Sequence, residues 1–132
     1  MTTLTDTAEL TISTTVWDDP LAAGGLDADS DDALVYLTPI LGPTATLLLH
    51  RLARYLTGEL TAQTWTISEL AASLGVMPST LTATLARLDR FGMIRVTGDR
   101  TQVRTRIPPL SARHLSRLPA YLAVACPYQH SH

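Results

Sequence analysis

The chain has 132 residues, is 45% hydrophobic and only 5% aromatic, which fits one domain whose core is built mainly from Leu, Ala, Val and Ile. Its net charge of −2 hides a division: residues 1 to 33 carry eight acids and no base, whereas residues 34 to 132 carry all ten arginines and four acids. The lone Cys126 excludes an internal disulfide and suits a reducing, cytoplasmic setting. The longest uncharged run, Ala33 to Leu49, is short for a membrane span and is interrupted by Pro39, Gly42 and Pro43.

Residues 1 to 29 are acidic and Thr-rich, contain Pro20, Gly24 and Gly25, lack the basic and apolar segments of a signal peptide, and read as a disordered tail. Two uses are open for it: a solubilising segment, or a mask that lies on the arginines further along the chain. Order is expected from Ser30, a helix cap with Asp31 and Asp32 in the first turn, for a short helix that stops before Pro39. A longer helix is expected from Pro43 to about Thr57. Its Leu47, Leu48, Leu49, Leu52, Ala53 and Leu56 cover more than one face, so it belongs at the centre of the domain or at a dimer interface.

From Thr64 onward the signals follow one another closely. Thr64-Trp65-Thr66 reads as a short strand, with Trp65 in the core, and Thr66 stands three residues before Glu69 in a capping-box spacing. Ile67, Leu70, Ala71 and Leu74 then recur at helical intervals up to Gly75. Pro78 starts a second helix with Leu81, Leu85 and Leu88 on one face, closing at Gly92. Two short helices around a tight turn make a helix-turn-helix. Ile94 to Thr97, a turn at Gly98-Asp99, and Thr101 to Ile107 make a hairpin, in which Val103, Thr105 and Ile107 alternate with Gln102, Arg104 and Arg106.

The run TISELAASLGVMPSTLTATLARLDRFGMIRVTGDRTQVRTRI (66–107) resembles the winged helix-turn-helix of bacterial regulators such as the MarR-like group, with Gly75, Val76, Leu81, Leu85, Leu88, Gly92 and Ile94 in register. The flanks LGPTATLLLHRLARYL and RIPPLSARHLSRLPAYL are similar to small winged-helix proteins of high-GC bacteria and their mobile elements. The resemblance implies an α+β, mostly helical fold: a winged helix-turn-helix with additional N- and C-terminal helices over residues 30–126, and a frayed end at 127–132. It also implies that the helix of about residues 78–91 enters the major groove of double-stranded DNA, exposing Ser79, Thr80, Thr82, Ala83 and Arg87. Arg95, Arg100, Arg104 and Arg106 of the wing (about 94–107) would contact phosphates or the minor groove. Pro78 and Ala83 depart from such regulators, which often carry Arg, Gln or Asn there to read bases bidentately, so direct base reading is expected to be weak.

The function expected is a DNA-binding transcriptional regulator, with a homodimer as one way to gain affinity. Two other readings stay open. One is a winged-helix module that contacts a protein of the transcription machinery (a sigma factor, polymerase or other regulator). The other is a replication or partition accessory that binds DNA with low specificity. Beyond the hairpin, Pro108-Pro109 is followed by a helix of Ala112 to Leu118 capped by Ser111, with Arg113, His114 and Arg117 outward, within reach of phosphates. Cys126, His130 and His132 supply three ligand types where structural zinc wants four. With no phosphate loop, paired carboxylates or nucleophile triad either, no enzyme, metal or cofactor is expected.

Overall fold

The computed structural model describes residues 10–58 and 61–129, and its first element departs from the sequence expectation. Thr11–Val16 (TISTTV) is a strand, β1, not part of a disordered tail. Five of its six residues are Thr, Ile or Val, whose branched side chains suit the pleated, half-buried surface of a sheet. Thr14 is fully buried, and Ile12 and Val16 pack against the core on the same face. The acids that suggested disorder flank this strand and find partners further along the chain: Asp19 with Arg104, Asp27 with Arg106, and Asp29 more loosely with Arg54. Residues 1–9, the remainder of the expected tail, lie outside the described residues.

A single 3₁₀ turn at Pro20–Ala22, with the Asp19 carboxylate accepting from the Leu21 N–H, leads to strand β2 (Leu26–Asp27). Helix α1 (Asp31–Tyr36) starts at Ser30, whose hydroxyl accepts from the Ala33 N–H as a cap should. Helix α2 (Thr38–Leu41) runs into Gly42, and α3 (Pro43–Arg54) follows with Pro43 in its first turn. Leu48, Leu49 and Leu52 of α3 are fully buried within this chain, so the helix is central, although Leu47 of the same apolar set is exposed. It ends about three residues earlier than its pattern suggested.

Strand β3 (Ala62–Thr66) precedes helix α4 (Ile67–Leu74), whose first free N–H groups include that of Glu69, bonded to the Thr66 hydroxyl. Trp65 meets the Tyr55 ring edge-on at 5.0 Å. Gly75 closes α4 in the left-handed region at φ 72°, where an L side chain would be strained. Helix α5 (Pro78–Arg90) leads through Gly92 into the hairpin β4 (Ile94–Thr97) and β5 (Arg100–Val103). The sheet order is β3-β1-β5-β4, with β1 antiparallel to β3 and parallel to β5. The N-terminal strand therefore lies between the strand that enters α4 and the hairpin that leaves α5.

The second hairpin strand does not run unbroken to Ile107. β5 stops at Val103, and β6 (Arg106–Ile107) pairs instead with β2. Its main chain changes partners there: β1 ends at Val16, the Trp17 N–H bonds the Val103 carbonyl, and the Ala28 N–H takes the Thr105 carbonyl. The C-terminal region is likewise more ordered than expected. Helix α6 (Ala112–Leu115) is shorter than anticipated, and α7 (Ala120–Ala125) follows Pro119. Cys126 is buried in the core. Residues 127–129 are not frayed: the Tyr128 hydroxyl bonds Asp32, its carbonyl accepts from the Leu110 N–H at 2.6 Å, and its ring stands edge-on to Tyr36. His130 and His132 lie outside the described residues. The fold is α+β, and among the described residues no helix is long and apolar enough to cross a membrane.

Two outcomes test this arrangement. Deleting residues 1–16 removes a central strand and should abolish cooperative thermal unfolding followed by circular dichroism, where loss of an expendable tail would leave the melting temperature unchanged. At Gly25 a Cβ would stand 1.7 Å from the Ile107 carbonyl oxygen. Gly25→Ala should therefore force β2 from β6 and cost about 1–3 kcal/mol or more in denaturant unfolding.

Candidate nucleic-acid interface

Helix α5 is amphipathic by its own spacing. Leu81, Thr84 and Leu88 are buried, which leaves Ser79, Thr80, Thr82, Ala83, Ala86, Asp89 and Arg90 exposed on the other side. The Thr82 hydroxyl donates to the Ser79 carbonyl at 3.0 Å, so its remaining capacity toward solvent is as an acceptor. Ser79, Thr80, Thr82 and Ala83 thus stand on the exposed side that the resemblance assigned them.

Arg87 does not. It is half-buried, its Nε donates to the Leu41 carbonyl at 2.6 Å, and its guanidinium carbon lies 4.9 Å from the centre of the Phe91 ring. Leu41 ends α2, where carbonyls lack helical partners, so Arg87 satisfies an otherwise open acceptor and ties α5 to the corner between α2 and α3. The exposed cation on the outer face is Arg90, next to the exposed Asp89. Arg90 follows Ser79, Ala83 and Ala86 at spacings of four, three and four, a helical stripe present in the sequence.

The hairpin sorts its arginines in the same way. Thr97 pairs with Arg100 across a two-residue turn in which Gly98 alone has positive φ, at 64°. This is the pattern of a type II′ turn. Arg100 stands at that tip, beside Ser13 of β1, exposed and with no hydrogen-bond or ion-pair partner among the described residues. Arg95 is also exposed, but its guanidinium lies 4.4 Å from the centre of the Trp17 ring and its Nε bonds Gln102.

Arg104, expected to face DNA, is turned into the protein. It lies 3.7 Å over Trp17, donates to the Gly92 carbonyl at 2.8 Å, and pairs with Asp19 at 2.7 Å. The two side chains are only 13% and 16% exposed, so Arg104 braces the N-terminal segment against the end of α5 and is withdrawn from a polyanion. Arg106, on β6, is exposed but bridges to Asp27 at 3.0 Å. Trp17 and Asp19, which organise this side of the sheet, were missed in the sequence because they were counted with a tail. The β-branched run just ahead of them was the signal.

The Arg104 hydrogen bond, followed by the Leu21 N–H, holds the Asp19 carboxyl below its usual 3.8. No protein-family model, curated protein or solved structure matches this chain.

Between the lowered folded value and 3.8 the unfolded chain binds more protons at Asp19 than the folded one. Stability from this pair is therefore present above the ordinary carboxylate range and is lost as pH falls through the folded value. Asp19→Asn should melt earlier than the parent at neutral pH, and the difference should shrink progressively on acidification in a pH series of melting curves.

Proposed function

We propose that this protein binds double-stranded DNA as a transcriptional regulator, with α4, α5 and the β4–β5 hairpin acting as a winged helix-turn-helix. The observation that carries the reading is the exposed side of α5. Small and hydroxyl side chains there (Ser79, Thr80, Thr82, Ala83 and Ala86) could approach a duplex closely, and the helix ends in the exposed Arg90, with a hairpin tipped by Arg100 following it. An α-helix fits the major groove, Ser and Thr hydroxyls bond phosphates and base edges, and Thr methyls touch thymine methyls.

In this mechanism Arg100, whose guanidinium has no carboxylate to give up among the described residues, meets the flanking phosphates, and Arg90 meets the backbone at the far end of the helix. Arg87 and Arg104 act at a distance by holding the helix and hairpin in place. No Arg, Asn or Gln stands at the amino-terminal turn of α5, so sequence preference comes from duplex shape and from the hydroxyls, and affinity comes mostly from phosphates. On this reading β1, which lies between β3 and the hairpin, is an addition to the winged-helix plan.

Fluorescence anisotropy with a labelled random duplex, repeated over a salt series, tests the reading. The parent should lose log affinity linearly with log salt, and Arg100→Ala should reduce that slope by about one, the share of one phosphate. Arg87→Ala should leave the slope of its folded fraction unchanged while lowering the melting temperature. Absence of duplex binding at low salt would remove DNA and leave a protein-contacting module.

A further inference from the structure

Arg90 and Phe91 at the end of α5, together with Arg113, His114 and Arg117 on and after α6, line a cavity of about 270 Å³. We propose that this cavity is an anion site that takes a phosphate group, held by the guanidinium groups of Arg90, Arg113 and Arg117 over the Phe91 ring. It shares Arg90 with the α5 face considered above but takes its other arginines from the segment on and after α6, and it sits at the far end of that face: Arg90 is ten positions from Thr80, about 15 Å along a helix axis. The proposal does not depend on DNA binding.

All three arginines are exposed, and none has a hydrogen bond or ion pair with an acid among the described residues. Several other arginines have partners, Arg104 with Asp19, Arg106 with Asp27 and Arg87 with the Leu41 carbonyl, whereas Arg100 stands alone at the hairpin tip among the described residues. Arg90 lies in the last turn of α5 and Arg113 in the last turn of the short α6, where a helix dipole favours a cation, but this does not account for Arg117, which follows α6. Arg117 lies 5.8 Å from the centre of the Phe91 ring, and the ring gives that side of the cavity an apolar wall.

His114 completes the donor set. Its ring Nδ1 accepts from the Ser111 N–H while the His114 main-chain N–H donates to the Ser111 hydroxyl, a reciprocal cap that opens α6. With Nδ1 occupied as an acceptor, the neutral ring carries its proton on Nε2 and offers it as a donor. Burial first, then the positive charges of Arg113 and Arg117, hold its pKa below 6.5. A bound anion would relieve that field.

The ligand class follows from the donors. A guanidinium presents five N–H groups in a planar fork, and three such forks with an imidazole N–H exceed what one carboxylate can accept. A phosphate, with its tetrahedral oxygens and higher charge, uses them better. The group could come from a free phosphate or phosphate monoester, or from the phosphodiester backbone of a duplex.

The test is an NMR titration of the intact chain with inorganic phosphate, reading the His114 ring and arginine side-chain signals against chloride at matched ionic strength. Saturable shifts are expected in the parent, with the His114 titration midpoint moving up as the anion binds. Arg113→Gln combined with Arg117→Gln should weaken binding at least about tenfold, as the loss of charge-assisted hydrogen bonds implies. Should that pair lose its fold by circular dichroism, Arg113→Gln alone makes the same comparison. A second arm measures duplex affinity over a salt series. A slope reduced by about two in the double variant names the backbone as the source, and an unchanged slope names a free phosphate. A parent that does not respond to phosphate beyond the chloride control, or a variant that responds as the parent does, overturns the site. Failure of the parent to bind duplex would count against the DNA reading alone and leave the phosphate arm intact.

Discussion

The ladder between β1 and β5 is the contact on which the remaining architecture rests. It brings Thr11–Val16 into the middle of the sheet, from Ser13 beside Arg100 to Val16 beside Val103, while the other edge of the same strand pairs with β3. Each backbone group buried in a sheet interior must find a partner, and here one strand serves two neighbours that are otherwise separated. Thr14 shows how closely the site is fitted. It is a polar residue with no exposure at all, tolerated because its hydroxyl donates to the Gln63 carbonyl at 2.9 Å. Through β1, the strand entering α4 and the hairpin leaving α5 are held in one sheet.

Arginine is the chain's only basic residue type, and the structure divides the ten between bracing and display. Arg87 and Arg104 reach back to main-chain carbonyls that would otherwise lack donors, at Leu41 and Gly92. A planar, always-charged fork can satisfy a carbonyl, a carboxylate and an aromatic face at once, as Arg104 does with Gly92, Asp19 and Trp17. Arg90, Arg100, Arg113 and Arg117 lack acidic partners among the described residues and lie exposed. The basic excess available to a ligand is thus smaller than the composition suggests and more sharply placed.

The acidic N-terminal stretch belongs to the same account. Asp19 and Asp27 do lie on arginines of the hairpin region, as a masking segment would, but they do so as parts of the folded domain. Asp19 also caps the turn at Pro20–Ala22, so its carboxylate sets the course of the chain as well as pairing with charge. Opposite charges at the two ends of the sequence therefore help to join those ends, and the short β2–β6 ladder reinforces the junction beside the Asp27–Arg106 pair.

The local elements were legible without coordinates. The helical recurrence of Ile67, Leu70 and Ala71, the stops at Gly75 and Gly92, the caps at Ser30, Thr66 and Ser111, and the hairpin turn at Gly98 all depend on neighbours a few residues apart. Such signals survive in the linear chain. On α5 the resemblance assigned Ser79, Thr80, Thr82 and Ala83 to the side on which they are exposed, though it assigned Arg87 there as well. Other features were decided by partners far away in the chain. Whether TISTTV was tail or central strand depended on β3 and β5, some fifty and ninety positions distant. The destination of Arg87 depended on a carbonyl 46 residues away, and that of Arg104 on a carboxylate 85 residues away. A guanidinium at the end of a long side chain chooses among all acceptors within reach, and only the folded chain determines which of them those are.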